Sequence, residues 1–142
     1  MTDLNAALGL TFHHLGLAVH TPGDAFKYLA ALGYREGEQC FDPVQKVNLA
    51  MRHHPSMPDV EVIWPGDGPS PIDRILKGRD SMIYHLCYRV QDVAAALAGL
   101  EAAGLQVFPL GQAEPATLFG GQLISFYMVS GIGVIELIHG PE

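Results

Sequence analysis

The sequence predicts an α+β fold built from two βαβββ modules related by pseudo-twofold symmetry. Two observations predict it. First, residues 12–34 align without a gap on residues 83–105 at a constant offset of 71 (85 − 14), so that His14 falls on His85, Val19 on Val90, Leu29 on Leu100 and Gly33 on Gly104. A unit that occurs only twice argues against a solenoid and for two similar halves. Second, each copy opens with residues alternating on a two-residue period, then changes to helical spacing.

The elements follow in order. Strand Phe12–Val19 puts His14, Gly16 and Ala18 on one face and His13, Leu15, Leu17 and Val19 on the other. Strand Ile83–Val90 repeats this, with His85, Cys87 and Arg89 opposite Leu86, Tyr88 and Val90. The apolar set is expected to pack on a helix, and the histidines to face away from it. In the first helix Thr21 is placed to cap, Pro22 to open and Gly33 to close, with Phe26, Leu29 and Ala30 as its stripe. In the second, Asp92 caps, Val93, Leu97 and Leu100 form the stripe, and Gly104 closes.

Each half then returns to strand. The first gives Val47–Met51 and Val60–Trp64; the second gives Gln122–Met128 and Gly133–Ile138. Further strands fit near Gly37–Phe41 and Gln106–Leu110. The expected organisation is one domain over 1–142, with module one at 10–65 and module two at 82–139. A connecting helix spans 70–77, capped by Ser70, opened by Pro71 and closed by Gly78. The Gly-, Pro- and Ala-rich stretch 112–121 reads as a mobile loop and a candidate lid.

Composition narrows the function classes. A chain of 142 residues that is 49% hydrophobic can bury one sizeable core. Its net charge of −7 argues against a basic nucleic-acid-binding face. No stretch approaches the ~18 apolar residues of a membrane span, and no basic, then apolar, leader opens the chain. Two cysteines, Cys40 and Cys87, do not make a disulfide scaffold, and a cytoplasmic location is expected.

Each half also carries one carboxylate inside an apolar strand. Glu61 lies in Val-Glu-Val-Ile (60–63) and Glu136 in Val-Ile-Glu-Leu-Ile (134–138). Burying a carboxylate there is costly unless it is paired or ligates a metal. Their offset is 75 (136 − 61), four more than 71, which loops before the last strand can absorb. A lone strand histidine is ordinarily a hydrogen-bonded structural residue, and a lone glutamate ordinarily points to water. Four such residues at matched places in two modules point instead to a shared metal site: His14, Glu61, His85 and Glu136. Two imidazoles and two carboxylates suit Zn²⁺, Ni²⁺, Co²⁺, Mn²⁺ or Fe²⁺. His13 is expected to be packed, and His20, His53, His54 and His139 to serve the surface.

Three segments carry a family resemblance: Phe-His-His-Leu-Gly-Leu-Ala-Val (12–19), Tyr-His-Leu-Cys-Tyr-Arg-Val-Gln-Asp (84–92) and Gly-Val-Ile-Glu-Leu-Ile (133–138). Together they resemble the vicinal oxygen chelate superfamily, which includes glyoxalase I, methylmalonyl-CoA epimerase, extradiol dioxygenases and antibiotic-resistance proteins. The resemblance covers about residues 10–140. It implies paired βαβββ modules forming a cupped mixed sheet around one divalent metal, with His14, Glu61, His85 and Glu136 as ligands. It also implies a homodimer and a small-molecule substrate. The order of segments, including Val-Glu-Val-Ile-Trp-Pro (60–65) and Ser-Pro-Ile-Asp-Arg-Ile-Leu (70–76), is most similar to methylmalonyl-CoA epimerases. The His/Glu/His/Glu set is also that of bacterial-type glyoxalase I.

The chain departs from the epimerase pattern at Asn48, where some epimerases have a catalytic glutamate, and at Met-Val-Ser-Gly-Ile-Gly (128–133). The expected function is a metal-dependent lyase or isomerase that works through an enolate, with Glu136 or Glu61 as base. Two alternatives share the fold. One is a protein that sequesters a drug or natural product, although such proteins often lack the full ligand set. The other is an Fe²⁺ extradiol dioxygenase, against which the fourth ligand, Glu61, argues.

Overall fold

A computed structural model describes residues 8–141. The α+β class holds. In chain order the elements are β1 (Leu10–Val19), α1 (Gly23–Ala31), β2 (Arg35–Asp42), β3 (Val47–His53), β4 (Val60–Pro65), α2 (Ile72–Ile75), β5 (Ser81–Val90), α3 (Val93–Ala102), β6 (Val107–Pro109), β7 (Glu114–Pro115), a 3₁₀ turn (Thr117–Phe119), β8 (Leu123–Val129) and β9 (Gly133–His139). The eight strands expected from sequence all form. The 71-residue offset is kept to the residue by β1 and β5.

The chain gathers into two compact units, one of residues 14–84 with 117–120, the other of residues up to 13, 85–116 and from 121 on. The boundary falls after His13 in β1 and after Tyr84 in β5, again 71 residues apart. Each of these long strands therefore gives its first residues to one unit and the rest to the other.

In the first unit the strand order is β2-β3-β4-β1. β4 pairs antiparallel with β3 and parallel with β1. A parallel pair needs a long crossover, and α1, β2 and β3 supply it. The Leu15–Leu17–Val19 face receives α1, and Val19, Leu29, Val60 and Val62 form a buried cluster flanked by Leu17, Phe26 and Trp64. The opposite face carries Ala18, Leu49, Met51 and Ile63, covered by Ile72, Leu76 and Leu118. In the second unit β5-β9-β8-β6 repeats the order, with β7 added beside β8. Here Val90, Tyr127, Val129, Ile135 and Leu137 pack on α3 through Ala96, flanked by Leu97 and Leu100.

Helix ends differ from expectation in one module only. Asp92 caps α3 by accepting from the Ala95 N–H at 3.0 Å. Thr21 does not cap α1: the helix begins at Gly23 after Pro22, and no side chain takes its first N–H groups. Ala25, not Ala30, joins its buried stripe. The connecting helix is shorter than expected, a single turn at Ile72–Ile75. Its capping box is present, with Ile72 N–H donating to Ser70 Oγ at 3.3 Å and Ser70 N–H to Asp73 Oδ2 at 2.9 Å. Among the described residues no helix is long and apolar enough to cross a membrane.

Candidate metal centre

The two histidine–glutamate pairs occupy equivalent places in their units. In the first unit, Glu61 on β4 stands opposite Gly16 on β1, two residues past His14. In the second, Glu136 on β9 stands opposite Cys87 on β5, two residues past His85. Gly16 and Cys87 are themselves 71 apart. The antiparallel neighbours match too, Met51 facing Glu61 and Phe126 facing Glu136. A two-residue step along a strand returns to the same face, so each glutamate reaches the face of its histidine. The extra four residues in the second module lie outside these registers.

Within each unit the pair is in contact. His14 Nε2 lies 3.6 Å from Glu61 Oε1, and His85 Nε2 lies 3.1 Å from Glu136 Oε1. All four residues are buried, at 0%, 3%, 2% and 2% exposure for His14, Glu61, His85 and Glu136. These values decide against the ordinary reading of a strand glutamate pointing to water. The histidine face of β1 is the more deeply covered one, with His14, Gly16 and Ala18 buried while Leu15 and Leu17 are half-buried.

Aromatic rings cover the imidazoles differently. Phe119 stacks on His14, with ring centroids 5.7 Å apart, whereas Phe126 meets His85 edge-on at 5.8 Å. Phe119 lies in the stretch read as a lid. That stretch is anchored: Ala116 and Leu118 are buried, and Leu118 joins the core beside Ile72 and Leu76. The two adjacent large apolar residues, Leu118 and Phe119, in an otherwise Gly- and Ala-rich run were the signal that it packs.

The remaining candidates fall outside the pairs. His13 is only half-buried, less covered than the packed position expected of it. His20 bonds the Arg79 carbonyl, His53 pairs with Asp59 at 3.0 Å, and His54 orders its loop by accepting from the Ser56 and Met57 N–H groups. His139 departs from a surface role, since it is half-buried and 2.7 Å from Ser125 Oγ. Asn48 spends its amide on the Pro65 carbonyl at 3.3 Å. Burial, then the Asp42 and Glu61 carboxylates, push the Cys40 thiol up, which disfavours a thiolate nucleophile there.

Comparison with known proteins agrees with this geometry. Residues 13–126 match the model of the Glyoxalase/Bleomycin resistance protein/Dioxygenase superfamily. The chain belongs to that superfamily. Among solved structures it is similar to methylmalonyl-CoA epimerase from Mycobacterium tuberculosis, at 24% identity and a TM-score of 0.74, covering 100% of this chain and 94% of that one. A selenomethionine methylmalonyl-CoA epimerase structure matches at 26% identity and a TM-score of 0.66, covering 92% and 95%. A hypothetical protein from Bacillus halodurans C-125 matches at 20% identity and a TM-score of 0.75, covering 94% and 96%. No curated protein matches the sequence significantly.

The donor set fits a divalent ion. Imidazole nitrogen and carboxylate oxygen suit Zn²⁺, Ni²⁺, Co²⁺, Mn²⁺ or Fe²⁺, and buried carboxylates need such compensation. Each pair, His14 with Glu61 and His85 with Glu136, offers donors of this kind.

Proposed function

We propose that this protein is a divalent-metal lyase or isomerase of the epimerase or glyoxalase kind. Its substrate is a small molecule presenting two vicinal oxygens beside an acidic carbon. His14, Glu61, His85 and Glu136 hold the one ion. The observation that carries this reading is the duplicated buried pair, with Glu61 opposite Gly16 and Glu136 opposite Cys87.

When bound, the ion supplies Lewis-acid stabilisation of the negative charge that develops on a carbonyl oxygen. The chain supplies the proton chemistry. Glu61 and Glu136 are carboxylates of opposite modules, so one can take a proton from the carbon and the other return one at a second face or atom. Asn48 cannot act as a base, which leaves that work to the two glutamates. Phe119 and Phe126 shield the imidazoles and keep water from the developing charge.

The test combines metal analysis of protein purified without added metal with solvent-deuterium uptake into a methylmalonyl thioester and a 2-oxoaldehyde–glutathione adduct. About one divalent ion per chain and exchange of one substrate proton are expected. A fully metallated protein that exchanges no proton across a broad panel, yet binds a hydrophobic natural product tightly, would replace this reading with sequestration.

A further inference from the structure

The helix-facing side of the first unit holds a hollow of about 880 Å³, lined by β1, α1, the loop before β4 and the start of β5. Its floor is Leu15, Leu17 and Val19, the β1 face opposite His14. It is therefore separate from the donors described above.

The duplicate module shows why it is open. In the second unit, Leu10 and Leu8 from the chain's first described residues fill the corresponding place against α3. Gly99 makes room there, since a Cβ would run into the Leu8 side chain. Phe12 also packs there, meeting Tyr88 edge-on at 5.8 Å. Adding the 71-residue offset to residues 8, 10 and 12, and subtracting it from 88 and 99, gives the first-unit equivalents. Leu8 becomes Arg79, Leu10 becomes Ser81, Phe12 becomes Ile83, Gly99 becomes Tyr28 and Tyr88 becomes Leu17. Ser81 is too small to fill the space, and Arg79 turns to Met82, its Nη1 donating to Sδ at 2.8 Å. Ile83 and Tyr28 stand 61% and 65% exposed at the rim.

The charges on the lining are of one sign. Asp24 and Asp80 line the hollow, and among the described residues no lysine or arginine does. Of the neighbouring cations, Arg52, opposite Val60, is committed to the Phe26 ring, 4.0 Å from its centroid, and to the Met51 carbonyl, and Arg79, next to Asp80, turns its guanidinium to Met82. His20 is held by the Arg79 carbonyl at 2.8 Å. An aliphatic floor with two carboxylates complements an apolar body carrying a positive head group, and the volume falls within the range of small-molecule sites.

We propose that this hollow is a second binding site, for cationic amphiphiles. Trp64 is the only tryptophan and packs against the cluster of Val19, Leu29 and Val60, which also line the hollow, so its fluorescence reports occupancy. The experiment titrates the metallated protein with decyltrimethylammonium, decyl maltoside and decyl sulfate, each below its micelle concentration. The cation is expected to bind about tenfold tighter than the sulfate, with the maltoside between. Asp24→Asn with Asp80→Asn should erase that order. Arg79→Leu with Ser81→Leu, which copies the filling of the other module, should abolish the response and leave the thermal midpoint unchanged or higher. Chelating the metal should change nothing. Equal affinity for the three head groups, or a response that survives the filling variant, overturns the proposal. So does sedimentation showing a dimer that the filling variant disrupts, which would make a second copy the occupant.

Discussion

The two modules agree on one face of the sheet and diverge on the other. On the histidine face the positions match by residue type and register: His14 and His85, Glu61 and Glu136, each glutamate opposite a residue two past its histidine. On the helix face the same offset pairs Leu10 with Ser81 and Gly99 with Tyr28, and one groove is filled while the other is open. A donor set tolerates little change, because losing one partner of a buried charged group leaves the rest unsatisfied. A groove between helix and strand tolerates much more, because filling it and leaving it open differ by a few aliphatic contacts. Duplication thus leaves one face constrained as a pair and frees the other to differ.

The largest expected effect tests the symmetric face. Glu136→Gln keeps a metal-binding oxygen and removes a base, so it should retain metal and lose about 10²–10⁴-fold in turnover. Glu61→Gln should do the same if both carboxylates move the proton. His14→Ala and His85→Ala should instead lose metal and turnover together. Metal content and rate are measured on all four variants. If either glutamine variant keeps full turnover, that carboxylate only holds the ion, and the modules are unequal in chemistry although equal in position.

The next effect tests the divergent face. Leu10 is 8% exposed within the second unit's core. Leu10→Ala should cost about 2–5 kcal/mol, the transfer and cavity terms of a buried leucine. Its counterpart Ser81 is exposed, and Ser81→Ala should fall within about 0.5 kcal/mol of wild type. Denaturant midpoints for both variants decide this. A Leu10→Ala loss below about 1 kcal/mol would mean that Leu10 does not fill its groove.

Most of the fold was legible because the repeat and the alternation report the same periodicity twice. The strands around His14, His85, Glu61 and Glu136 each had a copy to confirm them. What was not legible had no copy or had lost it. Phe119 lies in a connection without an equivalent, so nothing in the sequence tied it to His14. Thr21 has the right type for a cap, but the helix starts two residues later and Pro22 takes the N-cap place. The hollow was hidden for another reason. Ser81 and Arg79 are ordinary surface residues until they are set beside the Leu10 and Leu8 that do their packing elsewhere. Glu61 and Glu136 could be proposed as ligands, but their contact with His14 and His85 depends on the parallel pairings β1–β4 and β5–β9. Those bring together residues about fifty apart, and single-strand periodicity cannot see them.

The smallest expected effect sits at the ends of the matched strands. Trp64 is the next-to-last residue of the carboxylate strand of module one, and His139, 75 residues later (139 − 64), ends its counterpart, so only the second module carries a titratable group at this place. Burial pushes the His139 imidazole below its ordinary value. The bonding is compatible with this: the Tyr127 hydroxyl donates to Ser125 Oγ at 2.9 Å, and Ser125 Oγ lies 2.7 Å from His139 Nε2, so a neutral ring with Nε2 unprotonated accepts from the Ser125 hydroxyl. Protonation turns that acceptor into a donor. With the folded value depressed, the unfolded chain binds the extra proton first, so stability rises with pH across this group's range. Its contribution is fully present above the unfolded value of about 6.5 and is lost as pH falls through the lower folded value. Thermal midpoints from pH 8 to pH 5 should therefore drop more steeply for wild type than for His139→Gln. The difference should be small, because the ring is only partly buried. Parallel curves would show that Ser125 re-orients without loss and that the two strand ends, unlike in sequence, are equivalent in their response to acid.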